Sequence, residues 1–316
     1  MIDSVDARDG EIPDPSIPGR TPRNGNDYNA RPSSRDGALR SSDIKVRTND
    51  GALQDLSARL TEHLPLLLHL TWREFGERYA GQVGGIAWAI AHPIFLMLVY
   101  LVVFGHVFKV SLQGPPGTGT YTVYLLSALI PWLAAVEVLG RAPSTILANP
   151  GFVRQMLFPV EVLPARTVAS TLPMQLVATL VLFIYIVSGH GQINIYWILW
   201  PFATLLSCVA LMGFSYACAA ISVYFRDLKD IVVLLTTAGF FISPICYTAE
   251  MLPPPIRFIP YLNPFSYVIW VQQDIFYYGR IEHPSAWIVL ALASLVVLHG
   301  GYGIFRRLRP WFGEFV

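Results

Sequence analysis

Between Ile86 and Phe108 the chain reads IAWAIAHPIFLMLVYLVVFGHVF, without one Asp, Glu, Lys or Arg. A helix of about 20 residues crosses the roughly 30 Å hydrocarbon core of a bilayer, so this run is long enough to span. The stretch before it has another character. Leu68, Trp72, Phe75 and Tyr79 recur at i, i+4, i+7 and i+11 and share one helical face. Arg73 with Glu77, and Glu74 with Arg78, form i,i+4 pairs off that stripe. Such a helix lies on a membrane surface, apolar side down, and Gly81, Gly84 and Gly85 hinge it onto the span. Only 14% of the residues are charged and 53% are hydrophobic, with mean hydropathy +0.48, where soluble domains carry about 25% charged residues. The fold class is therefore all-α and polytopic in a membrane.

The net charge of +1 and the lack of a basic stripe argue against a nucleic-acid partner. Cys208, Cys218 and Cys246 sit in apolar runs without metal-ligand spacing, so no metal site is expected. Residues 1–55, rich in Pro, Gly, Asp, Arg, Asn and Ser, cannot bury enough apolar surface to offset their ordering entropy and read as a disordered tail. Residues 56–83 form the surface-helix region, with Pro65 placed to begin a helix. Residues 84–309 hold six spans, at about 86–108, 122–141, 166–188, 193–225, 231–247 and 287–305, and residues 310–316 close the chain. Gly114 and Gly119 have the spacing of a phosphate-binding loop, but Thr120 stands where Lys is required, so residues 113–121 read as a turn.

Glu137 and Arg141 make an i,i+4 pair near the end of the second span, which reads either as functional or as snorkelling at the interface. Residues 152–158 form a candidate short helix between Asn149-Pro150-Gly151 and Pro159. Residues 248–284 are Pro- and aromatic-rich, and pieces too short to span, such as 264–275, read as re-entrant or interfacial helices. Basic residues near the span ends set the orientation. Arg73, Arg78, Arg141, Arg154, Arg166, Arg226, Lys229, Arg306, Arg307 and Arg309 fall on one side; Lys109, Arg257 and Arg280 fall on the other. Both termini are thereby placed in the cytoplasm.

Several elements, taken in order, carry a family resemblance. They are Trp72-Arg73-Glu74-Phe75 with Arg78-Tyr79, Gly84 to Trp88, Pro93, Leu129-Ile130-Pro131-Trp132, and residues 149–164 with Phe158-Pro159 and Leu163-Pro164. Tyr224-Phe225-Arg226-Asp227 with Asp230, Ser243-Pro244-Ile245 and Leu262-Asn263-Pro264 follow. Together they resemble type-2 ABC exporter permeases, above all those for O-antigen, teichoic acid and capsular polysaccharide. The resemblance implies a homodimer of six-span subunits in a bacterial inner (plasma) membrane, with two copies of a cytoplasmic ATPase subunit that carries the ATP and Mg. It implies a permease that is not itself an enzyme, has no catalytic residues and binds no cofactor. The helix bearing Trp72, Arg73, Phe75, Arg78 and Tyr79 would be a gate or interface helix. Asn149, Pro150, Phe152, Val153, Arg154, Gln155 and Met156 would form the coupling helix that touches the ATPase, and Asn263-Pro264 would belong to external re-entrant helices.

A lipid-linked polysaccharide needs a polar or aromatic path, because unsatisfied hydroxyls in hydrocarbon cost several kcal/mol each. Aromatic faces suit sugar rings, and among 18 Phe, 15 Tyr and 8 Trp the candidates are Tyr100, Phe104, Tyr121, Tyr124, Trp132 and Tyr224. Enrichment of Trp and Tyr at membrane interfaces explains the same residues structurally. On this reading ATP closes the partner subunits, pushes residues 149–158 and separates the paired first and fifth spans. Two other classes compete: an exporter of drugs or small lipids, and a membrane-embedded glycosyl- or acyltransferase. The latter needs a poised acid or His; His92 and His106 have no carboxylate in local register, and Asp274 and Glu282 read as capping or solvated acids.

Overall fold

The computed structural model of the chain describes residues 51–85, 87–107, 120–153, 158–190 and 193–315. The expected tail up to residue 50, most of the turn over 113–121, and Arg154, Gln155 and Met156 lie outside these residues. Among the described residues every regular element is a helix. In chain order they are α1 (Ala52–Glu62), α2 (Leu64–Glu77), α3 (Ala87–Tyr100), α4 (Tyr121–Arg141), α5 (Ser144–Leu147), α6 (Pro150–Val153) and α7 (Val162–Ala169). Next come α8 (Leu172–His190), α9 (Trp200–Ser222), α10 (Leu228–Ile242), α11 (Ile259–Leu262), α12 (Pro264–Gln273), α13 (Pro284–Leu308) and α14 (Phe312–Phe315). Among the described residues, five segments are long and apolar enough to cross a membrane: Ala87–Phe104, Tyr121–Arg141, Val162–Gly189, Ile195–Ser222 and Pro284–Trp311.

The chain departs from the sequence-derived boundaries in three places. The tail expected to reach residue 55 becomes helical at Ala52, because Asp55 is tied to Arg59 at 3.0 Å and accepts from the Tyr302 hydroxyl at 3.1 Å. The surface-helix region is broken at His63, with Pro65 in the first turn of α2. Where a fifth span over 231–247 was expected, α10 has 15 residues, about 22 Å at 1.5 Å per residue. It stops at Ser243, which is extended (ψ 146°), because a following proline excludes the helical conformation.

Helix α4 is buried along nearly its whole length, as expected of a helix that is apolar all round. Around it stand α8, α9, α10 and α12. Helices α9 and α13 approach most closely at two glycines. A Cβ on Gly301 would lie 1.9 Å from the carbonyl oxygen of Gly213, and one on Gly213 would lie 2.5 Å from the backbone of Val297. Small residues at such crossings let two backbones meet. Large apolar side chains remain exposed on α3 (Phe95, Leu98), α10 (Leu234, Leu235, Phe241) and α13 (Leu292, Val296).

Helix α4 also fixes the polarity of the bundle, with Tyr121 at one end and Arg141 at the other, about 30 Å apart at 21 residues. Side chains around Arg141 are ionic; those around Tyr121 are aromatic.

Candidate functional site

At the Arg141 end, five charged side chains from three elements meet. Glu74 and Arg78 come from α2 and the residue after it, Glu137 and Arg141 from the last turn of α4, and Arg166 from α7. Arg166 Nε lies 2.9 Å from Glu74 Oε2, and Arg141 Nη1 lies 3.6 Å from Glu137 Oε1. Glu74 also pairs with Arg141, and Arg78 with Glu137. Arg78 Nη2 donates to Ser170 Oγ at 2.6 Å, and Ser170 Oγ donates to Glu74 Oε1 at 3.3 Å. Glu74 is 7% exposed, a position a carboxylate tolerates only with cations beside it. Burial, the larger effect, together with the nearby Arg141 holds the Arg78 guanidinium below its usual range, opposed only in part by the carboxylates of Glu137 and Glu74.

The sequence expectation for Glu74 is corrected here. Its partners are Arg141 and Arg166 rather than Arg78, because it points into the bundle and distant arginines reach it first. Arg73 and Glu77 do pair, at 2.7 Å and in the open. Phe75 is buried, with Trp72 and Tyr79 at ring-centroid distances of 5.8 and 5.5 Å, while Trp72 is 67% exposed. The stripe therefore turns its Leu68–Trp72 part outward and its Phe75 part inward.

The network continues toward the expected coupling segment. Arg166 Nη2 donates to Asn149 Oδ1 at 3.2 Å, and Asn149 Nδ2 donates to the Thr145 carbonyl at 2.8 Å. Asn149 immediately precedes α6, where Pro150 opens a single helical turn. Phe152 stacks on Phe158 with centroids 4.7 Å apart, and Phe152 and Val153 pack against the core around Ile146 and Leu163. A second cluster lies at the same end. Glu161, itself buried, is paired with Arg309 and lies 3.4 Å from Arg59. Partial burial alone would raise the Asp55 carboxyl, but hydrogen bonds from Arg59 and Tyr302 hold it below the usual carboxylate range.

At the Tyr121 end, aromatic rings follow one another across elements. Centroid separations are 6.0 Å for Tyr100–Phe104, 6.3 Å for Phe104–Tyr121, 6.3 Å for Tyr121–Tyr124 and 5.1 Å for Tyr124–Tyr277. Tyr278, His283, Trp270 and Tyr261 extend the row. The hydroxyls of Tyr121 and Tyr124 have a structural task. Tyr121 donates to the Cys246 carbonyl at 2.9 Å; Tyr124, 1% exposed, donates to those of Pro244 and Tyr247 at 3.2 and 2.9 Å. Gln273 Nε2 donates to the Pro244 carbonyl at 3.1 Å. The non-helical stretch after α10 thus has its carbonyls satisfied by side chains, the condition for irregular backbone away from water. Asn263 caps α12, accepting from the Phe265 amide at 3.0 Å and donating to Ser243 Oγ at 2.8 Å, and Pro264 occupies the first turn.

Two of the six aromatic candidates stand apart from this row. Trp132 packs in the middle of the bundle between Phe240 and Phe265, at 6.5 and 5.8 Å. Tyr224 lies at the charged end, where its hydroxyl donates to the Leu308 carbonyl at 3.1 Å and its ring meets Phe315. Asp274 is also corrected. It is not solvated but 1% exposed, accepting from the backbone N–H of His283 at the N-cap of α13 at 3.1 Å and from Trp287 Nε1 at 3.0 Å, with His283 Nδ1 at 2.8 Å. Glu282 pairs with Arg280 at 2.7 Å in the open. His92 shares a cavity with Glu137, but that carboxylate is held by two arginines.

Arg166 and Ser170 were missed as site residues. The signal available for Arg166 was an ionisable group at the start of an apolar run; nothing in the sequence marks Ser170.

Comparison with known proteins adds a family match. Residues 65–277 match the ABC-2 type transporter model. The chain is 29% identical to the O-antigen export system permease protein RfbA of Myxococcus xanthus over 262 residues, covering 82% of this chain and 98% of that protein. It is 24% identical over 278 residues to the protein of that name in Klebsiella pneumoniae, covering 86% and 98%. With the polysialic acid transport protein KpsM of Escherichia coli it shares 25% identity over 239 residues, covering 74% and 90%.

Proposed function

This chain belongs to the ABC-2 type transporter family, and from that premise we propose that it is the membrane permease subunit of an ATP-driven exporter of lipid-linked polysaccharide. The relatives named for O-antigen export and polysialic acid transport support this substrate class. The multi-pass chain works as a homodimer in a bacterial inner membrane, with a cytoplasmic ATPase on each subunit. The exposed apolar faces of α3 and α10 suit lipid and a second subunit. The charged end carries most of the basic residues near the span ends and is the cytoplasmic one. Helix α10 serves as the fifth of six spans, and α11–α12 re-enter from the outside.

The observation that carries the reading is the chain of contacts from Glu74 through Arg166 to Asn149. It joins the gate helix α2 to the segment over 149–158 on which the ATPase docks. Closure of the ATPase dimer pushes that segment, and the network passes the displacement to α2 and the ends of α4 and α7. The first and fifth spans then part to admit the polymer. Tyr100 and Phe104, both half-buried, offer ring faces along the path, with Tyr121 and Tyr124 supporting the outer mouth.

Purification of the full-length chain in gentle detergent, with masses taken of co-purifying proteins, tests this function. A stoichiometric P-loop ATPase is expected, and it should be lost when residues 149–158 are replaced by a Gly/Ser linker. Absence of an ATPase from an intact dimer would refute the exporter and favour a membrane-embedded enzyme.

A further inference from the structure

The charge network holds one cation more than its anions: Arg78, Arg141 and Arg166 face Glu74 and Glu137. Arg78 pairs through Nη1 with Glu137 and donates from Nη2 to Ser170, and its Nε is buried. Beside Arg78 is a cavity of about 340 Å³ bounded by α3, α4 and α8. Its walls are graded. Arg78, Glu137 and Gln175 line the polar end; Leu96, Ile130 and Ala178 line the rest. Along α4 the step from Glu137 to Ile130 carries the lining about 10 Å away from the charge network.

A cavity of this size equals roughly eleven water volumes of about 30 Å³ each, but the apolar end gives water no partners. It suits hydrocarbon. The outer faces of α3 and α8, where Phe95, Leu98, Leu176 and Leu180 are exposed, suit hydrocarbon as well. One ligand matches both halves: an acyl chain against Leu96, Ile130 and Ala178, and an acidic headgroup on Arg78.

We propose that the cavity binds one anionic phospholipid per subunit, its acidic headgroup drawn to the Arg78 end of the cavity by the network's extra positive charge and its acyl chain lying between α3, α4 and α8. This rests on the reading of α2 as a helix at the membrane surface. The lipid completes the charge balance of the network and braces the gate helix against the bundle.

Native mass spectrometry of the full-length protein, delipidated and reloaded from equimolar dioleoyl phosphatidylglycerol and dioleoyl phosphatidylcholine, tests the site. One retained phosphatidylglycerol per subunit is expected, favoured over phosphatidylcholine about fivefold, the worth of one cation at a membrane surface. Ala134→Leu and Ala178→Leu fill the cavity and should cut retention about tenfold. Leu96→Trp, from the half-buried opposite wall, does the same should either alanine variant misfold. Arg78→Gln should level the preference between the two lipids. Equal retention of both lipids by the unaltered protein, or undiminished retention in the filled variants, would overturn the site. Displacement of the lipid by added inorganic phosphate would identify a free-phosphate site instead and would equally refute the lipid. An ATPase that still co-purifies after such a failure would leave the exporter reading intact.

Discussion

Glu74 lies at the centre of the charge network because α4 and α7, the latter with its C-cap Ser170, deliver two cations and a hydroxyl donor to one buried carboxylate. Removing one member of a buried ion pair leaves the others charged and unpaired, which costs about 3 kcal/mol. Glu74→Ala should therefore lower the unfolding temperature in detergent far more than Glu77→Ala, whose partner Arg73 is exposed and contributes about 0.3–0.5 kcal/mol. Similar losses for the two variants would remove the network from the account. Asp55 behaves differently because acid alone can switch it. Its folded carboxyl lies below the usual range, so the α1–α13 contact contributes in full above about pH 4 and is lost as the pH falls through the lower folded value. A spin-label distance between α1 and α13 should be constant near neutrality and lengthen in acid. Asp55→Asn should abolish that dependence.

Packing of α9 on α13 depends on bare backbone at Gly213 and Gly301. A methyl group on Gly301 would collide with a carbonyl on a packed helix, not with a movable side chain. Gly301→Ala should thus cost about 1–3 kcal/mol, the range for forced overpacking, while Gly300→Ala, whose added carbon meets nothing within 4 Å, should be nearly neutral. Equal thermal stability of the two would show that the helices are not held at this crossing. Neither glycine could be singled out in the sequence, because hydropathy locates spans but does not pair them. The apolar runs themselves were legible: helices lie where spans were read near 86–108, 122–141 and 166–188. The α10 boundary was read too long because apolar residues continue past Ser243, whereas Pro244 ends the helix.

Across the molecule, what could be read locally was read, and what needed distant partners was not. Periodicity assigned Glu74 to Arg78, four residues on; the fold gives it Arg141 and Arg166, from elements 67 and 92 residues away. The Asn263-Pro264 pair was visible as a motif; its cap on α12 is local, while its bond to Ser243 Oγ reaches back 20 residues. Tyr121 and Tyr124 were visible as aromatics, but their hydroxyl partners lie 120 to 125 residues downstream. The same long-range closure makes the chain a candidate transmission device, because the charge network connects the C-terminal end of α2, the ends of α4 and α7, and Asn149.

The most direct test is to measure ATP hydrolysis and polysaccharide export side by side in the reconstituted complex carrying Arg166→Gln. The account predicts that the ATPase still docks and hydrolyses ATP as before while export falls about tenfold, the loss of a coupling free energy between sites. Export that is unchanged, or that falls only in step with hydrolysis, would contradict the claim that this network carries the motion.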